Sequence, residues 1–262
     1  MNRIDKKFKA LKASGKKALI TFVTAGDPDI KTTERLVLEM EKNGADIIEL
    51  GVPFSDPMAE GPVIQAANLR ALKHTINLDI IMETVSSLRK VTQVPILYLL
   101  YYNSILVYGS EKFFSKCAEV GIDAVIVPDI PFEEKDEIED YAKRYNVHRI
   151  SLVAPTSHDR LKMICESSTG FLYCVSSLGV TGMRSRFDTD LEGFFADIKS
   201  VCPIPYCIGF GISSPQQASD VKHLCDGVIV GSAVVNKVAT AKTPDEAVTS
   251  VGEFTKALRD SI

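Results

Sequence analysis

The chain has 262 residues, 45% of them apolar and 24% charged, ordinary globular values that exclude a disordered, collagen-like or disulfide-scaffold protein. The 30 basic residues against 34 acidic ones give a net charge of -4, with no basic run, which argues against a nucleic-acid partner. No apolar run approaches the roughly 20 residues that span a bilayer, and the opening MNRIDKKFKALKASGKK lacks the apolar core of a secretory signal, so a cytoplasmic protein with no membrane association is expected.

Ile4, Phe8 and Leu11 recur at helical spacing before Gly15 and predict a short amphipathic helix ahead of the first strand, placed to cap the bottom of the fold. The first strand is Ala18 to Thr24, followed by the turn Ala25-Gly26-Asp27-Pro28 and a helix from about Lys31 to Asn43, stopped by Gly44. The second strand, Ala45 to Leu50, leads through a loop holding Pro53 and Pro57 into a helix that Pro62 opens, with Ile64, Ala67, Leu69 and Leu72 on one face. An Asn77 cap starts another helix reaching about Val91. Pro95 opens a third strand, PILYLLYYN, whose near-continuous apolar character suits a strand covered on both faces.

A helix near Glu111 to Val120 precedes Gly121 and the strand Ala124 to Asp129, and the charged PFEEKDEIEDYAKRY reads as a largely exposed helix. Strand five is HRISLVAP, ending at Pro155, with a helix after it from about His158 to Ser167. Gly170 and the strand FLYCVS lead to SSLGVTGMRSRFDT, a loop long and polar enough to move. The remaining units are a helix from about Asp190 to Val201, the strand Pro205 to Gly211, a helix near Pro215 to Leu224, the strand Gly227 to Val235 and a helix from about Pro244 to Leu258.

Eight strands alternating with helices, at roughly 33 residues per unit, with no linker or composition shift, predict one domain over residues 1–262. The expected class is α/β: a single (β/α)8 TIM barrel with an extra N-terminal helix. The competing fold is an open doubly wound sheet, which usually carries a Gly-rich fingerprint after strand one; here that turn is TAGDPD, not G-x-G-x-x-G. Six cysteines (Cys117, Cys165, Cys174, Cys202, Cys207 and Cys225) show no C-x-x-C spacing and read as reduced, mostly buried thiols. The histidines, His74, His148, His158 and His223, share no ligand spacing, so no protein-bound metal is expected.

In a barrel the active site lies at the C-terminal ends of the strands. Glu49 stands there between apolar neighbours, Ile47, Ile48 and Leu50, where partial desolvation would raise its proton affinity as general acid/base work requires. The competing reading is a solvated acid just past a strand. Glu60, on the loop before Gly61-Pro62, can face the same pocket, and two acids there could divide proton donation and abstraction. Gly182, Gly209 with Gly211, and Gly231-Ser232 each follow a predicted strand, as backbone N–H phosphate sites do in barrels; glycines needed only for φ > 0 turns are the alternative. Phe22, Tyr98, Tyr101, Tyr102, Tyr173 and Phe210 could shape a flat apolar slot, although strand alternation turns half of them toward the helices.

The stretches FVTAGDPD, ADIIELGVPFSDPMAEGP, PILYLLYYN, APTS, GVTG, GFGIS and GSAVV, in this order and across nearly the whole chain, resemble those of the tryptophan synthase alpha chain family. The resemblance implies a lyase that splits indole-3-glycerol phosphate into indole and glyceraldehyde 3-phosphate by a retro-aldol step. It implies Glu49 as the acid at indole C3, Glu60 at the place of the second carboxylate and Tyr173 as a tyrosine of the same site. Gly182, Gly211, Gly231 and Ser232 match phosphate-binding turns, Phe22, Leu99 and Tyr101 lie near the indole ring, and Thr181 matches a threonine that closes toward the second carboxylate. The expected partner is a beta chain holding pyridoxal phosphate, in an allosteric alpha-beta-beta-alpha heterotetramer, met by the surface around Pro53 to Met58. No cofactor is expected in this chain, and no lysine stands at a predicted strand end to form a Schiff base.

One position departs from the family pattern: Ala59-Glu60-Gly61-Pro62 replaces A-D-G-P, lengthening the side chain by one C–C bond of about 1.5 Å. Reference acidities differ little, roughly 3.9 for Asp and 4.3 for Glu, so the change is one of geometry. Two readings follow: a working lyase, or a subunit that keeps fold and partner and acts mainly as an allosteric activator. Another phosphate-handling barrel such as an isomerase would not explain ELGVPFSDP. Arg184 and Arg186, in the loop after strand six, also depart from common loop sequences.

Overall fold

The structure, a computed structural model, describes residues 1–175, 191–209 and 211–262. Its strands are β1 (Ala18–Thr24), β2 (Ile47–Gly51), β3 (Ile96–Leu99), β4 (Ala124–Ile126), β5 (His148–Arg149), β6 (Ser151–Val153), β7 (Leu172–Val175), β8 (Tyr206–Gly209) and β9 (Gly227–Val230). All pair in parallel, in the order β5-β4-β3-β2-β1-β9-β8-β7-β6. The two ends of that order are consecutive in sequence, separated only by Ile150, so the sheet returns on itself as a barrel. At Ile150 the expected fifth strand changes partners: its first half pairs with β4 and its second with β7.

Strand alternation sorts the apolar residues into two cores. Ala18, Ile20, Ile47, Leu97, Ala124, Ile126, Ile150, Phe171, Tyr173, Cys207 and Ile229 pack inside the barrel. Leu19, Val23, Ile48, Leu50, Tyr98, Val125 and Ile208 pack outward against the helices. The expected N-terminal helix is α1 (Arg3–Ala13), started by the Asn2 side chain, which accepts the Ile4 N–H at 2.9 Å. Its Ile4, Phe8 and Leu11 join the interior core and close the N-terminal end, Phe8 meeting Phe171 at 5.7 Å between ring centroids.

The surrounding helices are α2 (Ile30–Lys42), α3 (Pro62–Ala71), α4 (Leu78–Leu88), α5 (Tyr102–Tyr108), α6 (Ser110–Val120), α7 (Asp136–Arg144), α8 (Leu161–Ser167), α9 (Leu191–Val201), α10 (Pro215–Val221), α11 (Ser232–Thr240) and α12 (Pro244–Ser261). No helix among the described residues is long and apolar enough to cross a membrane.

Several expected boundaries fail for identifiable reasons. The run PILYLLYYN is a strand only to Leu99; the Tyr102 N–H is held by the Asp129 carboxylate at 2.9 Å, and α5 begins there. The strand expected to reach Val235 stops at Val230, and SAVV opens α11, whose apolar residues are buried on several sides. An apolar run that short carries no period that separates strand from buried helix. On α3 the face expected to hold Leu69 and Leu72 is wrong: both are exposed, and Ile64, Ala67, Asn68 and Ala71 are buried. The expected strand to Asp129 ends at Ile126.

Candidate active site

Alternation along β2 turns Ile47 and Glu49 inward and Ile48 and Leu50 outward, so a strand of apolar neighbours delivers one carboxylate to the barrel mouth. Glu49 stands opposite Phe22 in the β1–β2 register and is only 2% exposed. Its Oε2 has no hydrogen-bond partner among the described residues. Burial first, and the neighbouring Glu60 carboxylate second, push its pKa up to about 8.

Glu60 is also buried, on the loop before Gly61 and the Pro62 start of α3. The Gln65 amide donates to its backbone carbonyl at 2.8 Å, and the Tyr101 hydroxyl donates to its carboxylate. Burial raises the Glu60 pKa, the Tyr101 hydrogen bond opposes that rise, and Asp129 adds to it. Two acids thus face one cavity, and the charges acting on them are mostly those of other acids.

Tyr173 points inward from β7, its ring filling the space over Gly209: a Cβ there would lie 2.5 Å from the ring. Burial, then the Glu49 carboxylate, raises its phenol well above the ordinary value, so it remains protonated. Phe22 is seated over Gly51 in the same manner, with 2.5 Å between its ring and a Cβ at that glycine. These two glycines make room for aromatic walls.

Gly231 differs from them. It occupies the N-cap position of α11 with no side-chain cap, and among the described residues the nearest atoms to a Cβ there belong to Phe22, at an ordinary 3.5 Å. Gly231 and Ser232, at the start of α11 where backbone N–H groups have no partner within the helix, line the cavity. Gly211, at φ +92°, takes a left-handed conformation and lines the cavity beside Ser232.

Of the residues expected at the site, Phe22, Glu49, Glu60, Leu99, Tyr173, Gly211, Gly231 and Ser232 line this one cavity. Tyr101 reaches it through Glu60. Tyr98 faces the helices, and Tyr102 bonds to Glu137 at 3.0 Å, outside the cavity. Thr181, Gly182, Arg184, Arg186 and Phe210 lie outside the described residues. The structure adds Ala59, Ile64, Pro128, Leu152, Ile212 and Ile229 to the walls. Leu152 and Ile229 were available from strand parity and Ile64 from the apolar face of the Pro62 helix, whereas Ile212 is brought in by loop geometry that no local pattern announces.

Among the described residues no cluster of three His, Cys, Asp or Glu could hold a metal. The six cysteines are free thiols, five buried and Cys202 partly exposed.

A family model described as tryptophan synthase alpha chain matches residues 8–262. A tryptophan synthase alpha chain from Caldanaerobacter subterraneus subsp. tengcongensis is 50% identical over 260 residues, spanning 99% of each chain. One from Thermoanaerobacter sp. (strain X514) is 48% identical over 260 residues, again with 99% of each chain covered. Among solved structures, the tryptophan synthase alpha chain of Legionella pneumophila subsp. pneumophila aligns with a TM-score of 0.92 at 36% identity, over 100% of this chain and 97% of that one.

Proposed function

The chain belongs to the tryptophan synthase alpha chain family, and on that premise we propose how its mouth cavity carries out the family's reaction. The protein is a carbon–carbon lyase of tryptophan biosynthesis that cleaves indole-3-glycerol phosphate, and an alpha chain needs no cofactor of its own for this. The products are indole and glyceraldehyde 3-phosphate.

In this reading Glu49 is the proton carrier. With a pKa near 8 it is largely protonated at neutral pH and can supply the proton that indole C3 must accept before the side chain can leave. Protonation at C3 places positive charge on the ring nitrogen, which the Glu60 carboxylate stabilises while accepting its N–H. The newly formed Glu49 carboxylate then takes the proton of the glycerol hydroxyl. The C–C bond breaks, its electron pair returns to the ring, the hydroxyl carbon becomes the aldehyde, and Glu49 ends protonated as it began. Tyr173 walls the acid and remains a neutral donor, Phe22 and Leu99 flank the indole, and Gly211, Gly231 and Ser232 take the phosphate at the start of α11. Gly182 and Thr181, which the family resemblance assigns to the phosphate turn and the closing loop, lie outside the described residues.

Family membership implies a beta-chain partner. We take the assembly to be an alpha-beta-beta-alpha heterotetramer in the cytoplasm, with pyridoxal phosphate in the beta chain, residues 1–262 forming one barrel domain, and Pro53 to Met58 facing the partner; Met58 is 73% exposed.

The observation that carries this reading is a pair of buried carboxylates on one apolar-walled cavity, the inner one proton-loaded at neutral pH. Among the described residues nothing favours the reading of a subunit that activates its partner without cleaving, since Glu60 lines the same cavity as Glu49. Indole release from indole-3-glycerol phosphate, with and without beta chain, is the test. Turnover by the wild type is expected; partner activation without turnover, restored by Glu60→Asp, would reverse the conclusion.

A further inference from the structure

We propose that Tyr101 is the positioning residue for Glu60, fixing the direction of a carboxylate that would otherwise swing on three side-chain torsions. The proposal rests on the lyase reading of the cavity and assigns Tyr101 a role beyond that of a wall beside the indole.

The direction of the hydrogen bonds is determined by chemistry. The Ala59 N–H can only donate, and it donates to Tyr101 Oη at 2.9 Å. The phenol's single proton is therefore free to go to Glu60, whose carboxylate oxygen contacts the same Oη. One side chain thus clamps the loop twice, at a backbone amide and at the adjacent carboxylate.

The clamp is itself immobilised. Tyr101 is the N-cap residue of α5, and the Tyr102 N–H beside it is tied to both Asp129 oxygens at 2.9 and 3.2 Å. Its ring stacks on Phe54, with centroids 4.9 Å apart and planes 22° from parallel, and the residue is only 3% exposed. Glu60 has one further torsion than an aspartate would, and a misplacement of about 1 Å at a reacting group can cost on the order of 100-fold in rate. A rigid donor at a fixed point removes that freedom.

The groups facing Glu60 are Tyr101 from the start of α5, Asp129 after β4, and Glu49 on β2, with Ala59 and Gln65 binding the backbone side. Asp129 disfavours a charge on Glu60, while the phenol hydrogen bond favours it. Removing the hydroxyl therefore has two effects: the carboxylate loses its direction, and it takes up a proton at higher pH.

Tyr101→Phe keeps the ring and its stacking on Phe54. Its kcat should fall on the order of 10-fold, as loss of a hydrogen bond to a charged group implies, with KM within about 2-fold. The acidic limb of the kcat profile should move up by about one pH unit. In a Glu60→Gln background the same substitution should change kcat by less than about 2-fold, because no carboxylate is left to hold. A purely structural role predicts equal losses in both backgrounds and an unmoved acidic limb, and either result overturns the proposal. A wild type that releases no indole overturns the lyase reading and this proposal with it; an active wild type with an indifferent Tyr101→Phe overturns the proposal alone.

Discussion

At the N-terminal end of the barrel the Asp123 carboxylate lies between Arg3 and Arg89, at 3.0 and 3.1 Å, and Asp46 between Arg259 and Lys7, at 2.8 and 3.5 Å. At the mouth, Glu49 and Glu60 are buried much as Asp123 is, yet the charges acting on them are those of acids, Glu60 on Glu49 and Asp129 on Glu60. The lower acids also accept backbone N–H groups, from Ile96 and Leu19 at 3.0 Å each, and so tie strand starts to helix ends. Burial has opposite uses at the two ends. With cations and N–H donors around it an aspartate ties the elements of the closed barrel together; among other acids a glutamate keeps its proton and has it to give.

The largest effect expected from breaking this contrast is at the mouth. Glu49→Gln keeps the shape of the side chain but carries no transferable proton, and indole release should fall about 1000-fold, within the range of general acid catalysis; steady-state assays at neutral pH measure it. At the other end, Asp123→Asn leaves Arg89 buried without its counter-ion. It should cost about 3 kcal/mol in urea unfolding, while kcat of the protein that remains folded stays near wild type. Equal damage to activity and stability from both variants would erase the distinction between the ends.

A pH series sharpens the comparison. Glu49 in the native chain holds its proton up to about pH 8, whereas the unfolded chain releases it near 4.5. Between those values the native state binds more protons, so stability falls as pH rises and levels off above about 8. Glu49→Gln should remove that decline, exceeding wild-type stability by about 3 kcal/mol at pH 7 and by little at pH 4. Thermal unfolding across the series decides it; a constant difference would mean that burial is not what raises the proton affinity.

Two glycines at the mouth give the smallest contrast. Gly209→Ala would place a Cβ 2.5 Å from the Tyr173 ring and should cost about 1 to 3 kcal/mol of stability. The nearest described atoms to a Cβ at Gly231 are those of Phe22, at an ordinary 3.5 Å. Gly231→Ala should change stability by less than about 1 kcal/mol and instead raise KM for the phosphorylated substrate about 10-fold.

Much of this was legible in the chain itself. Period-two alternation in ADIIELG gives Glu49 its inward direction, and apolar flanks signal its desolvation. The N-terminal helix was legible from Ile4, Phe8 and Leu11, and its place at the bottom of the barrel follows from where those three side chains had to go. The failures have a common cause. Tyr101 reads as a strand aromatic because PILYLLYYN is apolar throughout; it is a helix cap because Asp129, from the next βα unit, captures the amide that follows it. The run SAVV reads as strand, but α11 packs against both α3 and α12, so its buried residues show no single face.

The sequence by itself determined the succession of strands and helices, the side of each strand on which a residue falls, and the family, because these rest on local periodicity and on motifs a few residues long. Tertiary structure alone decided the company each acid keeps. Glu60 meets Tyr101, and Asp123 meets Arg3, across separations of tens of residues or more. Whether a buried carboxylate is a strut or a proton donor depends on that company, because its charge is stabilised or penalised by groups that only closure of the barrel brings within reach.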